Sequence, residues 1–240
     1  MCPWQATGVP KKGEPRYGCR VPELPPPAPP ETRTSGQLVA EALRLYGRRF
    51  WAALALGAGP LIVVLAVTAL SGKAGLVFLA TGGALVLTVC YVLAVRLAAD
   101  LAIDLSSIPT AVGIGVLVFA PVPFLTASLV FPGLIWLAFF GLAVPVALIE
   151  RGGFRQSIRR SIALARADFV HALGSLAALV VVGFISAVCL AFLLGQFGEQ
   201  SRVFAALIPL VLVSPLLFLG SALLYFDQSA RLQERAPRVS

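Results

Sequence analysis

Six long apolar runs between Phe50 and Phe226 constrain this chain more than any other feature. They fall at about 50–70, 76–97, 110–128, 134–149, 169–194 and 203–226. A hydrocarbon layer about 30 Å thick is crossed by about 20 helical residues. Inside lipid the backbone has no water to bond with, so each run has to satisfy its own N–H and C=O groups as a helix. Composition agrees: 58% of the residues are hydrophobic and 12% charged, whereas soluble domains carry roughly 25% charged residues. The expected fold is all-α, a polytopic six-span transmembrane helix bundle. Pro121 and Pro123 should break the third run in its second half, Pro132 and Gly133 should form an uncharged turn, and Pro145 lies in the short fourth run. A re-entrant third segment is the alternative.

Two polar segments separate their faces at helical spacing, about 100° per residue. In the first, residues 36–49, Gln37, Glu41, Arg44 and Arg48 form one stripe, while Leu38, Val39, Ala42, Leu43, Leu45 and Tyr46 cover the other side. Ser35 is the residue expected to open this helix. In the second, residues 154–167, Phe154, Ile158, Ser161, Ile162, Leu164 and Ala165 make the less polar arc; Arg155, Arg159 and Arg166 cluster together, and Arg160 lies apart with Gln156. Both read as helices lying in the membrane interface. A shift of 119 residues lays the first on the second, with Val39 on Ile158, Leu43 on Ile162, Leu45 on Leu164 and Phe50 on Phe169. Each copy feeds directly into a span, which suggests a bundle of two related halves.

Charge sets the expected orientation. With six spans both termini share a side, and that side holds 17 of the 19 lysines and arginines; only Lys73 and Arg202 fall on the other. Loops rich in lysine and arginine stay cytoplasmic, so both termini are expected inside, in a multi-pass protein of the cell (plasma) membrane. Residues 1–34 form a proline-rich basic tail, expected to be disordered, and a short polar tail covers 233–240. The first 35 residues contain no apolar stretch, so no cleavable leader is expected. The net charge of +8 is then topology and headgroup attraction; no nucleic-acid partner is expected.

Few residues invite chemistry. His171 is the sole histidine, so paired-histidine mechanisms are excluded. Cys90 and Cys189 sit in apolar runs, where a thiol acts as a small hydrophobe, and Cys2 and Cys19 form no CxxC pair. No metal site, no cofactor and no enzymatic activity are expected, and the common phosphate-loop, zinc-protease and nucleophile-elbow motifs are missing. Arg155, Arg159, Arg160 and Arg166 are candidates for anionic lipid headgroups, or serve topology alone. Glu150, Asp168 and His171 are candidate polar contacts at span ends: Glu150 with a central arginine or Arg96, and Asp168 either capping a helix or sharing a proton relay with His171. Asp100 and Asp104, four apart, could hold a cation or stand solvated. Gly183, Ala187, Ala191 and Gly195 recur every four residues, a small-residue ridge for close packing within the bundle, between copies of the chain or with other membrane proteins.

The stretch from Pro145 to Leu164, PVALIERGGFRQSIRRSIAL, resembles the P-x-x-x-x-E…A-x-R-R-S-x-x-L pattern of a family of bacterial integral membrane proteins similar to the membrane domain attached to some glycerophosphoryl diester phosphodiesterases. Tyr225, Asp227 and Arg231 match the way that family ends its last span. The resemblance covers about residues 35 to 232 and implies a membrane domain without the catalytic barrel. The expected function is non-enzymatic: membrane organisation, or a scaffold or helper for lipid-associated proteins. The alternative is a small transporter or permease component, suggested by the echo between halves and the prolines within spans.

Overall fold

The computed structural model describes residues 34–70, 72–100, 105–128, 130–196 and 201–235. The proline-rich tail, Cys2, Cys19, Asp104 and the loop residues Gly198, Glu199 and Gln200 lie outside these. All regular structure among the described residues is helical, and six stretches are long and apolar enough to cross a membrane.

Helix α1 (Ser35–Arg48) meets α2 (Phe50–Ala69) through one non-helical residue, Arg49. Thr34, not Ser35, is its cap. The Thr34 hydroxyl accepts from the Gln37 N–H, and the Gln37 side chain accepts from the Thr34 N–H at 2.8 Å. This reciprocal pair satisfies two donors that a helix start leaves open, and it frees the Ser35 hydroxyl for use elsewhere. The second span starts three residues before the expected boundary. Helices α3 (Lys73–Phe78) and α4 (Ala84–Ala99), joined by a wider helical turn at Leu79–Gly83, run as one stretch from Lys73 to Ala99. Gly72, at φ +64°, supplies the reversal that precedes it, a conformation that costs glycine little.

The third span divides as its prolines require, into α5 (Ile108–Phe119) and α6 (Val122–Ser128). Pro132 and Gly133 form no turn, contrary to expectation. They lie in the first turn of α7 (Val130–Phe140), where an N–H would have no helical acceptor and proline is tolerated. The fourth span therefore covers Phe131–Ile149 rather than 134–149, and it breaks at Gly141–Leu142 before α8 (Ala143–Ile149).

Each break exposes carbonyl groups within an apolar layer, where an unpaired one is costly. Side chains from other helices reach them. The Trp136 indole N–H donates to the Val118 carbonyl at 2.9 Å. Pro145 has no N–H to offer Gly141, four residues back, and the Tyr91 hydroxyl donates to that carbonyl at 3.0 Å. The Ser161 hydroxyl donates to the Phe139 carbonyl at 2.6 Å. Tyr91→Phe keeps the buried ring and leaves the Gly141 carbonyl bare. It is expected to lower stability by about 1–3 kcal/mol, read as a lower unfolding midpoint in detergent titrations.

Helix α9 (Phe154–Ala167) has the same 14-residue length as α1 and meets α10 (Phe169–Gly195) through one residue, Asp168. Arg49 and Asp168 are 119 residues apart, the spacing of the sequence echo. Helix α11 (Ser201–Arg235) passes through Pro209 and Pro215 without ending and continues beyond the expected limit at 226. Its 35 residues span about 52 Å at 1.5 Å each, more than the layer they cross.

The core has two parts, and α8 belongs to both. Val144 and Leu148 pack with Leu56, Tyr91, Val95, Ile114 and Leu219. Val146 packs with Leu38, Ala42, Leu164, Leu179 and Leu224. Helix α11 lies against α10, α2, α4 and α1. A methyl group on Gly57 would stand 2.1 Å from the Val211 carbonyl oxygen, which Pro215 deprives of its helical N–H. The missing side chain is what lets α2 lie directly on this kinked part of α11.

Candidate functional site

Ionisable side chains gather where α1, the end of α8, α9, the start of α10 and the end of α11 meet. Asp168 stands at the elbow between α9 and α10, and its Oδ1 accepts from the His171 N–H at 3.2 Å, the capping contact a helix start favours. Its Oδ2 lies 3.0 Å from Nη1 of Arg231. Arg231 also donates through Nε to Oδ2 of Asp227 at 3.0 Å, one helical turn earlier. His171 Nε2 approaches the same Asp227 oxygen to 2.9 Å. The Ser175 hydroxyl lies 3.4 Å from His171 Nε2 and donates to the Ser35 hydroxyl at 3.0 Å. A continuous path of polar contacts thus runs from Ser35 through Ser175, His171, Asp227 and Arg231 to Asp168.

Burial gives this cluster its weight. The Asp227 side chain is 2% exposed, and those of His171 and Arg231 are 14% and 16% exposed. A carboxylate so enclosed is tolerable only when neighbours supply its hydrogen bonds and balance its charge. Arg231 supplies a hydrogen bond and the opposite charge from α11 itself, and His171 a further polar contact from α10.

A second, more open group lies beside the first. Oε1 of Glu150 accepts from Arg160 Nε at 3.3 Å and from the Tyr225 hydroxyl at 3.1 Å. Glu150 pairs here with Arg160; Arg96 instead lines a surface hollow with Arg49 and Asp100. Asp100, at φ +49° after α4, is bonded to the elbow residue Arg49. Each elbow residue is therefore tied to an opposite charge, Arg49 to Asp100 after α4 and Asp168 to Arg231 near the end of α11.

The four predicted headgroup arginines divide. Arg160 is partly covered and bonded to Glu150, whereas Arg155, Arg159 and Arg166 are exposed and have no ionic partner among the described residues. Ser157, Ser161, Leu164 and Ala165 cover the buried face of α9. The predicted small-residue ridge also divides. Gly183 is buried against Val213 and Leu217 of α11, while Ala187, Ala191 and Gly195 are half-buried, and a methyl group on Gly195 would meet nothing within 4 Å.

Sequence reasoning ended the sixth run at Phe226, with Asp227 and Arg231 beyond it, and so missed them as partners of His171 and Asp168. Their four-residue spacing was the available signal, since it joins opposite charges on a helix that continues past the apolar run. Ser35, Ser175 and Gln228 were missed as well; two are small hydroxyls, and nothing in the pattern marks the fully buried Gln228. Among the described residues no group of three or more histidine, cysteine or acidic side chains could hold a metal ion. Comparison with protein families, curated proteins and solved structures finds no match. Of the residues in the stretch Pro145–Leu164, Pro145 releases the Gly141 carbonyl, Glu150 holds Arg160, and Ser161 reaches Phe139.

Proposed function

We propose that this is a non-enzymatic integral membrane protein whose basic end binds anionic lipid headgroups, serving membrane organisation or a scaffold for lipid-associated proteins. One observation carries the reading. Arg155, Arg159 and Arg166 stand exposed on one face of α9 without an acidic partner among the described residues, while the opposite face is buried in the bundle. Helices α1 and α9 then lie at headgroup level on the cytoplasmic side of the cell membrane, with both termini inside, as the distribution of lysine and arginine favours.

Each arginine near an anionic leaflet is worth roughly 1 kcal/mol, so three together correspond to about a 100-fold preference. The triple variant Arg155→Gln, Arg159→Gln, Arg166→Gln is expected to abolish the enrichment of phosphatidylglycerol over phosphatidylcholine among lipids carried through purification, with the unfolding midpoint nearly unchanged. Equal retention of the two lipids by the unmodified protein would sink the proposal.

A small transporter is the second reading. It is favoured by the buried ionisable cluster and by the break in the fourth span, since transporters place discontinuous helices at their sites. Absence of flux in proteoliposomes over a broad panel of lipids and solutes would remove it.

A further inference from the structure

Helices α2 and α4 leave a surface hollow of about 550 Å³ between them. Arg49, Arg96 and Asp100 form its rim, and Ala52, Ala55, Leu93 and Leu97 belong to its apolar floor. Arg49 immediately precedes the span Phe50–Ala69, and Asp100 immediately follows the span Lys73–Ala99. The rim therefore lies at the edge of the apolar layer, and the floor runs into that layer. Between Asp100 and Leu93 it descends about 10 Å at 1.5 Å per residue. Trp51, 80% exposed, stands beside Arg49 at the same level, where aromatic residues mark a membrane boundary.

The charges of the rim are unevenly satisfied. Arg96 precedes Asp100 by four residues, the spacing at which opposite charges on a helix commonly pair. Asp100 closes α4 at φ +49°, and its Oδ1 accepts from Nη2 of Arg49 instead. Arg96 is exposed and has no ionic partner among the described residues. Oδ2 of Asp100 has no partner among the described residues either, and the side chain is 79% exposed. An open guanidinium and an open carboxylate oxygen thus border one hollow above an apolar floor.

We propose that this hollow binds a single phospholipid whose headgroup carries a phosphate and a primary amine, with the phosphate on Arg96, the ammonium on Asp100 and an acyl chain along Leu93 and Leu97. A guanidinium matches the geometry of a phosphate. An ammonium group carries three N–H donors for charge-assisted bonds to a carboxylate. A choline group has no N–H, so Asp100 separates the two headgroups although both present the same phosphate. A phosphate without an amine would leave the Asp100 oxygen unanswered. The floor commits the site to a lipid, because a soluble headgroup alone would leave its alanines and leucines uncovered. Ala52 and Ala55 are small and exposed, and they make the room for the chain. The volume is that of an ordinary small-ligand site, about 300–1,000 Å³. This site is separate from the exposed arginines of α9.

The test uses the full chain in mixed micelles holding equal amounts of phosphatidylethanolamine and phosphatidylcholine with identical acyl chains, read by native mass spectrometry. The most firmly held lipid should be phosphatidylethanolamine, one per chain, preferred about tenfold, as one hydrogen bond to a charged group allows. Asp100→Asn, which keeps a side chain tolerated at positive φ, should erase the preference. Arg96→Gln should weaken retention of both lipids alike. Ala55→Leu, which fills the floor, should remove the firmly held lipid of either kind. Equal retention of the two lipids by the unmodified protein would overturn the proposal, as would an unchanged preference in Asp100→Asn or unchanged retention in Arg96→Gln. Soluble glycerophosphoethanolamine should not displace the lipid; displacement at equal concentration would overturn the assignment to a lipid. The triple α9 variant should keep the preference for ethanolamine, and its loss there would overturn the placement between α2 and α4. Ethanolamine preference and phosphatidylglycerol enrichment are read in different lipid mixtures, so either can fail without the other.

Discussion

Asp227→Ala is expected to destabilise the protein by about 3–5 kcal/mol, because it strands buried partners rather than simply deleting a contact. Asp227 accepts from Arg231 and lies against His171 through one oxygen, at 2% side-chain exposure. Removing it deprives the guanidinium enclosed at the α10–α11 junction of its most buried carboxylate partner. Water cannot readily replace the lost carboxylate there, so the last turns of α11 should come away from α10 and α1. Asp168→Ala should cost less, since Asp168 is 24% exposed and Arg231 keeps Asp227. Unfolding midpoints of the two variants in mixed micelles test the ranking. Protease cleavage near Arg235 should accelerate in Asp227→Ala first. Equal midpoints for the two variants would mean that the cluster is as wet as the surface.

Gly57→Ala is expected to have an effect at the upper end of what overpacking does, about 3 kcal/mol. The added methyl carbon would stand 2.1 Å from the Val211 carbonyl oxygen. That oxygen belongs to backbone and cannot rotate away as a side chain would. Helices α2 and α11 must separate, and Leu56 and Leu219 belong to the core cluster beside them. Gly113→Ala is the matched control: it sits in α5, and a methyl group there meets nothing within 4 Å. That variant should be neutral or stabilised by about 0.5–1 kcal/mol. A Gly57→Ala protein as stable as the Gly113→Ala protein would show that the close crossing of α2 and α11 is not maintained in lipid.

Much of this arrangement was legible in the sequence, for a physical reason. Spans are read from length and hydropathy, which depend on solvent rather than on neighbours, so six runs became six candidate crossings. The 14-residue lead-in helices were legible because their polar and apolar faces repeat at 3.6 residues. Pro132 was misread because proline breaks a helix only where an N–H is needed, and the first turn of α7 needs none there. The reach of α11 was misread because hydropathy ends at Phe226 while helical hydrogen bonding does not. The buried cluster was half legible. Glu150, Asp168 and His171 stand out as charges at span ends, but apart from Arg160 their partners come from residues 175, 225, 227 and 231, and only folding brings those together.

The carbonyl partners at the helix breaks also impose an order on synthesis. A ribosome makes Tyr91 before the fourth span, so the partner for Gly141 is already waiting when Pro145 emerges. The partner for Val118 arrives 18 residues after it, as Trp136, within the next span. The partner for Phe139 is Ser161, in α9, made only after the fourth span is complete. A chain that ends at residue 153 therefore carries a fourth span in which one carbonyl, that of Phe139, lacks its side-chain partner. Helix α9 thus completes the hydrogen bonding of a span made before it.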